Sequence, residues 1–142
     1  MSGAGEPGPY EVVPIAWVES TLVHIADAPN QQDEGAPLAW LVFEPQFGEG
    51  IRDLRVGEPV IVLSWLHRAA RDVLSTVPGD DPGGPERGVF STRSPDRPNP
   101  IGVHRVRVMA IDGLRILVDA LEVVNGTPIL DVKPVFDRSP ER

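Results

Sequence analysis

Apolar residues fall along this chain in short runs punctuated by proline, glycine and charge: Val12–Val18, Leu38–Phe43, Val60–Trp65, Val89–Thr92, Val103–Ile111, Leu114–Val123 and Ile129–Val135. Several of these runs alternate with the two-residue period of a strand. Leu38, Trp40 and Val42 share one face and Ala39, Leu41 and Phe43 the other, which predicts a strand buried on both sides. Val106, Val108 and Ala110 oppose Arg105, Arg107 and Met109, a strand with one apolar and one basic face. Asp112-Gly113 between two such runs predicts a two-residue hairpin turn with positive φ at both central positions. Helical patterning is thin. Leu66, Ala69, Ala70, Val73 and Leu74 form an apolar stripe, although residues 71–77 fit a strand equally well, and Gly48–Arg55 suits a turn or two. Pro78–Pro85 reads as an exposed loop. Seven or so short strands with little helix predict an all-β fold, an antiparallel barrel or a sandwich.

Composition narrows the class without naming a chemistry. The 142 residues, 41% hydrophobic and 24% charged, suit one globular domain. Residues 1–9 read as a disordered leader, 10–138 as the domain and 139–142 as a tail. No apolar run approaches the length of a membrane span and no charged-then-apolar start suggests a signal peptide. With no cysteine, disulfides, thiolate catalysis and thiolate zinc sites are excluded, and a cytoplasmic location is expected. Histidines at 24, 67 and 104 are too scattered for a metal cage, so no metal is expected.

Charge changes the picture in one respect. The net charge of −8 disfavours a polyanionic partner. Its distribution is uneven: residues 1–60 hold ten acids and two bases, whereas residues 87–107 hold five arginines (Arg87, Arg93, Arg97, Arg105 and Arg107) against Asp96 alone. That stretch fits an anionic ligand, an RNA backbone or a solvated face.

The phosphate loop, the dinucleotide glycine fingerprint and the esterase elbow are all missing, which disfavours a doubly wound cofactor fold. The unusual segment is Gly88-Val-Phe-Ser-Thr-Arg-Ser-Pro-Asp-Arg-Pro-Asn-Pro-Ile-Gly102, a strand running into Pro95, Pro98 and Pro100. Proline fixes its own φ and restricts its predecessor, so Arg93, Asp96, Arg97 and Asn99 are held in few arrangements. A stiff loop suits binding, since little ordering entropy remains to be lost. A proline-rich turn whose arginines pair with Asp96 is the plainer reading. Further on, Asn125-Gly126 is a turn and Pro128 marks an edge or first strand position. Asp131 and Lys133 then share one face, as an ordinary surface ion pair would, with Leu130 and Val132 towards the core.

Gly88–Gly102 together with Asn125-Gly-Thr-Pro-Ile-Leu-Asp-Val-Lys-Pro134 closely resembles the TsaA-like (TrmO) family of S-adenosylmethionine-dependent tRNA methyltransferases. With Gly35-Ala-Pro and Trp65-Leu-His67, the resemblance covers about residues 13–136. It implies a small antiparallel β-barrel that works as a homodimer, binds S-adenosylmethionine outside any Rossmann-like sheet, and methylates N6 of threonylcarbamoyladenosine beside the tRNA anticodon. Carried over by motif, the cofactor pocket would use Pro29, Asn30 and Gln31, then Leu66, His67 and Arg68, then Arg93 and Val103, closed by Leu121, Glu122, Val123, Val124 and Asn125. Arg93 offers a forked guanidinium to the cofactor carboxylate and Glu122 an acceptor to its ribose. Leu66, Val103 and Val123 offer apolar contact to the adenine. Methyl transfer from a sulfonium is an in-line displacement in which positioning supplies much of the rate. Should a base take part, His67, Asp96 and Asp131 are candidates, none preferred by the sequence. Arg97, Arg105 and Arg107 are candidates for RNA contact.

Three departures from the family pattern stand out. Asn30 replaces a family arginine, the chain ends soon after Pro134 without the C-terminal extension of longer bacterial members, and the acidic charge must be offset by the arginine-rich stretch. They leave two alternatives to a tRNA methyltransferase: a non-catalytic module binding S-adenosylmethionine or RNA, and a small-molecule methyltransferase on the same scaffold.

Overall fold

A computed structural model describes residues 8–20 and 38–136. The strands are β1 (Ala16–Glu19), β2 (Ala39–Phe43), β3 (Pro59–Trp65), β4 (Ser75–Thr76), β5 (Arg87–Gly88), β6 (Ile101–Asp112), β7 (Arg115–Val118) and β8 (Pro128–Pro134). Six of them close a barrel in the order β1-β2-β7-β6-β3-β8, while β4 and β5 form a separate two-stranded ribbon. Every pairing is antiparallel. The expected all-β barrel is present. Closure is made by the short β1–β8 seam, Ala16 opposite Ile129 and Trp17 opposite Pro128. Pro128 is the first residue of its strand, where a missing N–H costs the ladder least.

Alternation decides which side chains fill the barrel. Val60 and Val62 of β3, Val106 and Val108 of β6, Leu41 of β2 and Ile116 of β7 point inward and are buried. Arg105 and Arg107 point outward from β6, as their spacing predicts. Burying a side chain such as Leu41 contributes roughly 2 kcal/mol, so this inward set supplies the main stabilisation.

Five local expectations are corrected. β2 is buried on one face only: Ala39, Leu41 and Phe43 lie in the core, Trp40 and Val42 are half-buried and Leu38 is exposed. Trp40 is covered instead by Arg115, 4.5 Å above its ring. The hairpin turn is Gly113-Leu114, closed by Asp112 opposite Arg115. Gly113 has φ 61 and Leu114 is not among the positive-φ residues, so the glycine takes the first central position of a primed turn. β8 carries a bulge: Leu63 faces Asp131 but Ser64 faces Ile129, so Leu130 is the extra residue. Ile129 and Val132, rather than Leu130 and Val132, therefore face the core. Residues 66–74 form turns and bends, not a helix, while the strand alternative over 71–77 is realised at Ser75–Thr76, and Val89–Ser91 is one turn of 3-10 helix instead of a strand. Gly48–Arg55 does contain helix, since a 3-10 segment spans Pro45–Ile51.

Candidate functional site

Antiparallel pairing brings the end of β3 and the start of β6 to one end of the barrel, with Trp65 opposite Ile101. The two segments attached there, residues 66–71 and 92–100, are stitched together. Leu66 N–H donates to Pro100 O at 2.8 Å and Arg97 N–H to Ala70 O at 3.0 Å. Asp96 Oδ1 accepts from Ala70 N–H at 2.8 Å. Arg71 donates from Nε to Pro98 O at 2.7 Å and from Nη2 to Asn99 Oδ1 at 3.1 Å, with its guanidinium 5.0 Å over the Trp65 ring. The 92–97 turn is fixed from within, Arg97 Nη1 donating to Thr92 O at 3.0 Å and to Ser94 O at 2.9 Å. The rigidity expected from the prolines is thus completed by side chains.

A third wall comes from the link between β7 and β8. The chain leaves β7 through Ala120, whose φ of 53 is uncommon for a residue with a Cβ. Leu121 and Val123 then return to the core. The following turn is pinned to β1 by Gly126 N–H to Val18 O at 2.7 Å and Val18 N–H to Thr127 O at 3.0 Å. Between these three walls lies a cleft of about 1100 Å³, at the upper end of small-molecule site volumes.

Leu66, His67, Arg68, Arg93, Val103, Glu122, Val123 and Val124 all line this cleft, although they come from four separate parts of the chain. Arg93 makes no hydrogen bond or ion pair with any described residue, which leaves its guanidinium available to a ligand. Glu122 places Oε2 in the buried wall. Leu121 stands behind the cleft in the core, fully buried. Asn125 faces the β1 end, its Oδ1 accepting from Ser20 N–H at 2.9 Å. Pro29, Asn30 and Gln31 lie outside the described residues, as do residues 1–7 and 139–142 of the expected leader and tail.

The three candidate bases separate. His67 is exposed at the cleft rim. Asp96 lines the cleft but serves the loop bond to Ala70. Asp131 is outside the cleft lining and pairs with Lys133 at 3.0 Å across the outer surface, an arrangement worth about 0–1 kcal/mol. Of the RNA candidates, Arg97 is committed to the turn and Arg107 donates Nη1 to Gly57 O at 2.6 Å. Arg105 and Arg107 share the outward face of β6 with Ile101 and Val103, which runs from the cleft along the barrel.

His104 is a cleft residue that the sequence reading did not single out. Its Nε2 lies 2.8 Å from Ser64 Oγ, and Ser64 is fully buried. Burial lowers the imidazole to about 4 from its usual 6.5, so it is neutral at physiological pH. A Cβ on Gly102 would come within 2.6 Å of Ser64 Oγ and 2.7 Å of His104 Nε2, so only glycine leaves room for the pair. A signal was present in the pattern, since Val60, Val62 and Ser64 share a face and Gly102, His104 and Val106 share the facing one. Phe90, 80% exposed at the mouth, and Thr127 also line the cleft. Among the described residues no cluster of groups suits a metal ion and no helix is long and apolar enough to cross a membrane.

The family profile described as the tRNA-methyltransferase O N-terminal domain matches residues 17–139. The chain belongs to the TrmO N-terminal-domain family. A TrmO crystal structure from P. aeruginosa superposes with a TM-score of 0.74 at 27% identity, covering 95% of this chain and 58% of that one. An Archaeoglobus fulgidus protein named "Probable S-adenosyl-L-methionine-binding protein" is 39% identical over 120 residues, 84% of this chain and 32% of the relative. A second from that organism, named "S-adenosyl-L-methionine-binding protein", is 36% identical over 84% of this chain and 85% of its own length. The chain thus spans about a third of the first relative and less than two thirds of the solved TrmO chain. The four motif residues singled out in the sequence, Arg93, Asp96, Arg97 and Asn99, line the cleft together.

Proposed function

We propose that the cleft binds S-adenosylmethionine and that the protein is a methyltransferase acting on tRNA, with N6 of threonylcarbamoyladenosine beside the anticodon as acceptor. The observation that carries this reading is convergence: eight residues implied by the family resemblance, the uncommitted Arg93 among them, meet in one cleft. Arg93 would hold the carboxylate in a forked pair and Glu122 the ribose hydroxyls. Leu66, Val103 and Val123 would flank the adenine, with His67, Arg68 and Val124 completing the walls. Bound S-adenosylmethionine supplies an electrophilic methyl group. The stitched loops supply the alignment that an in-line displacement needs.

Arg105 and Arg107, on the outward face that leaves the cleft, would meet the RNA backbone and offset the net charge. A homodimer would set two such faces side by side, and a cytoplasmic location would meet the substrate. The test is to incubate the protein with methyl-labelled S-adenosylmethionine and unfractionated tRNA, then digest to nucleosides. Label in the N6-methylated threonylcarbamoyladenosine is expected. No label in any nucleoside contradicts the tRNA assignment, and label in an RNA-free extract fraction would redirect it to a small molecule.

A further inference from the structure

Methylation of an N–H group releases a proton, and the cleft must contain or reach something that takes it. The three acidic or basic side chains weighed from the sequence are poorly placed: Asp96 holds Ala70, Asp131 is outside the lining, and His67 sits at the solvent rim. Glu122 has its buried Oε2 without a hydrogen-bond partner among the described residues of the cleft wall, but the reading above gives that carboxylate to the ribose hydroxyls. His104 differs from all of these. It is fixed on a barrel strand, it lines the cleft, and one ring nitrogen is held by a buried hydroxyl.

We propose that His104 accepts the proton released by the methyl acceptor, with Ser64 holding Nε2 so that Nδ1 is the accepting atom. The proposal rests on the methyltransferase reading above. If Nε2–H donates to Ser64 Oγ, the neutral ring carries its lone pair on Nδ1. No other hydrogen bond engages the ring among the described residues, and His104 lines the cleft, so Nδ1 is the ring atom that would meet an acceptor there. Gly102 preserves this arrangement by contributing no side chain between the two partners.

The step balances. The acceptor nitrogen's lone pair forms the N–C bond as the C–S bond breaks, its electron pair passing to sulfur. The N–H proton moves to Nδ1. One positive charge enters the cleft on sulfur and one remains on the imidazolium, which returns its proton to solvent through the cleft mouth. A nitrogen alkylated by a sulfonium becomes strongly acidic, so a weak base suffices, provided that it is unprotonated and in place. Burial ensures the first condition by keeping His104 neutral.

Two variants test the assignment with methyl-labelled S-adenosylmethionine and unfractionated tRNA. His104→Gln retains a hydrogen-bonding group for Ser64 but cannot take up a proton, while His104→Ala leaves a space that imidazole from the buffer can enter. Both are expected to bind S-adenosylmethionine as the wild type does and to turn over about 100-fold more slowly. Added imidazole should restore turnover to His104→Ala and not to His104→Gln. Full turnover by His104→Gln would overturn the proton-acceptor role and leave the methyltransferase reading standing. Slow variants without imidazole rescue would overturn it too, since that pattern belongs to a packing role. No methyl transfer by wild-type protein that binds S-adenosylmethionine would overturn both.

Discussion

The guanidinium of Arg71 lies 5.0 Å over the ring of Trp65 while its Nε reaches Pro98 O at 2.7 Å. One side chain therefore joins the last residue of β3 to the proline-rich loop and ties two cleft walls together. An exposed cation–π contact adds about 0.5–1 kcal/mol, and a charge-assisted hydrogen bond about 1.5–3 kcal/mol. Arg71→Ala is expected to lower stability by about 2 kcal/mol in urea unfolding and to weaken S-adenosylmethionine binding several-fold. Arg71→Lys should recover little, because an ammonium cannot bridge Pro98 O and Asn99 Oδ1 in a fork.

His104 makes stability depend on pH in a known direction. Its folded value of about 4 lies below the ordinary 6.5, so folding favours the neutral ring. The unfolded chain binds the proton first as the pH falls, so this contribution is complete above about pH 6.5 and is lost on the way down to about pH 4. The loss amounts to about 3 kcal/mol across that window. Urea unfolding of wild type and His104→Gln at pH 7 and pH 4.5 checks it, and the variant should show the shallower decline. Parallel declines would contradict a buried neutral imidazole.

On the proposed tRNA reading, affinity should fall as salt rises, because Arg105 and Arg107 would act through phosphate contacts. Arg105→Ala is expected to weaken RNA binding across sequences and to reduce the slope of log affinity against log salt by about 1. Arg97→Ala should instead loosen the 92–97 turn, since its guanidinium holds Thr92 O and Ser94 O. Filter binding over a salt series separates the two.

Much of the barrel was legible because a barrel strand must alternate. The Arg105–Val108 pattern on β6 and the apolar Val60–Trp65 run appear where their spacing places them. The misreadings share a cause, which is partnership with distant residues. Val89–Ser91 has a strand-like composition, yet Val89 alone is buried, with its N–H bonded to Leu74 O at 2.9 Å, and Phe90 is left outside. The Leu66–Leu74 stripe loses its helix to bonds with Pro100, Asp96 and Arg97 of the adjoining proline-rich loop. At Leu130 no local signal announces a bulge, because it is set by β3 opposite. The Ser64–His104 pair was half legible: alternation puts both on inward faces, but their contact depends on the register of β3 against β6. The cleft residues were found through motif resemblance, since residues 66, 93, 103 and 122 have no pattern in common before the barrel closes.

Arg93 is the side chain on which the account turns, a cleft guanidinium without a commitment to any described residue. Calorimetric titration of the wild type and of Arg93→Ala with S-adenosylmethionine tests it most directly. Saturable wild-type binding is predicted, weakened at least tenfold by the substitution, or about 1.4 kcal/mol, with unfolding midpoints unchanged. Equal affinity in the two folded proteins, or no binding by the wild type with or without tRNA present, would contradict the claim that this cleft is the S-adenosylmethionine site.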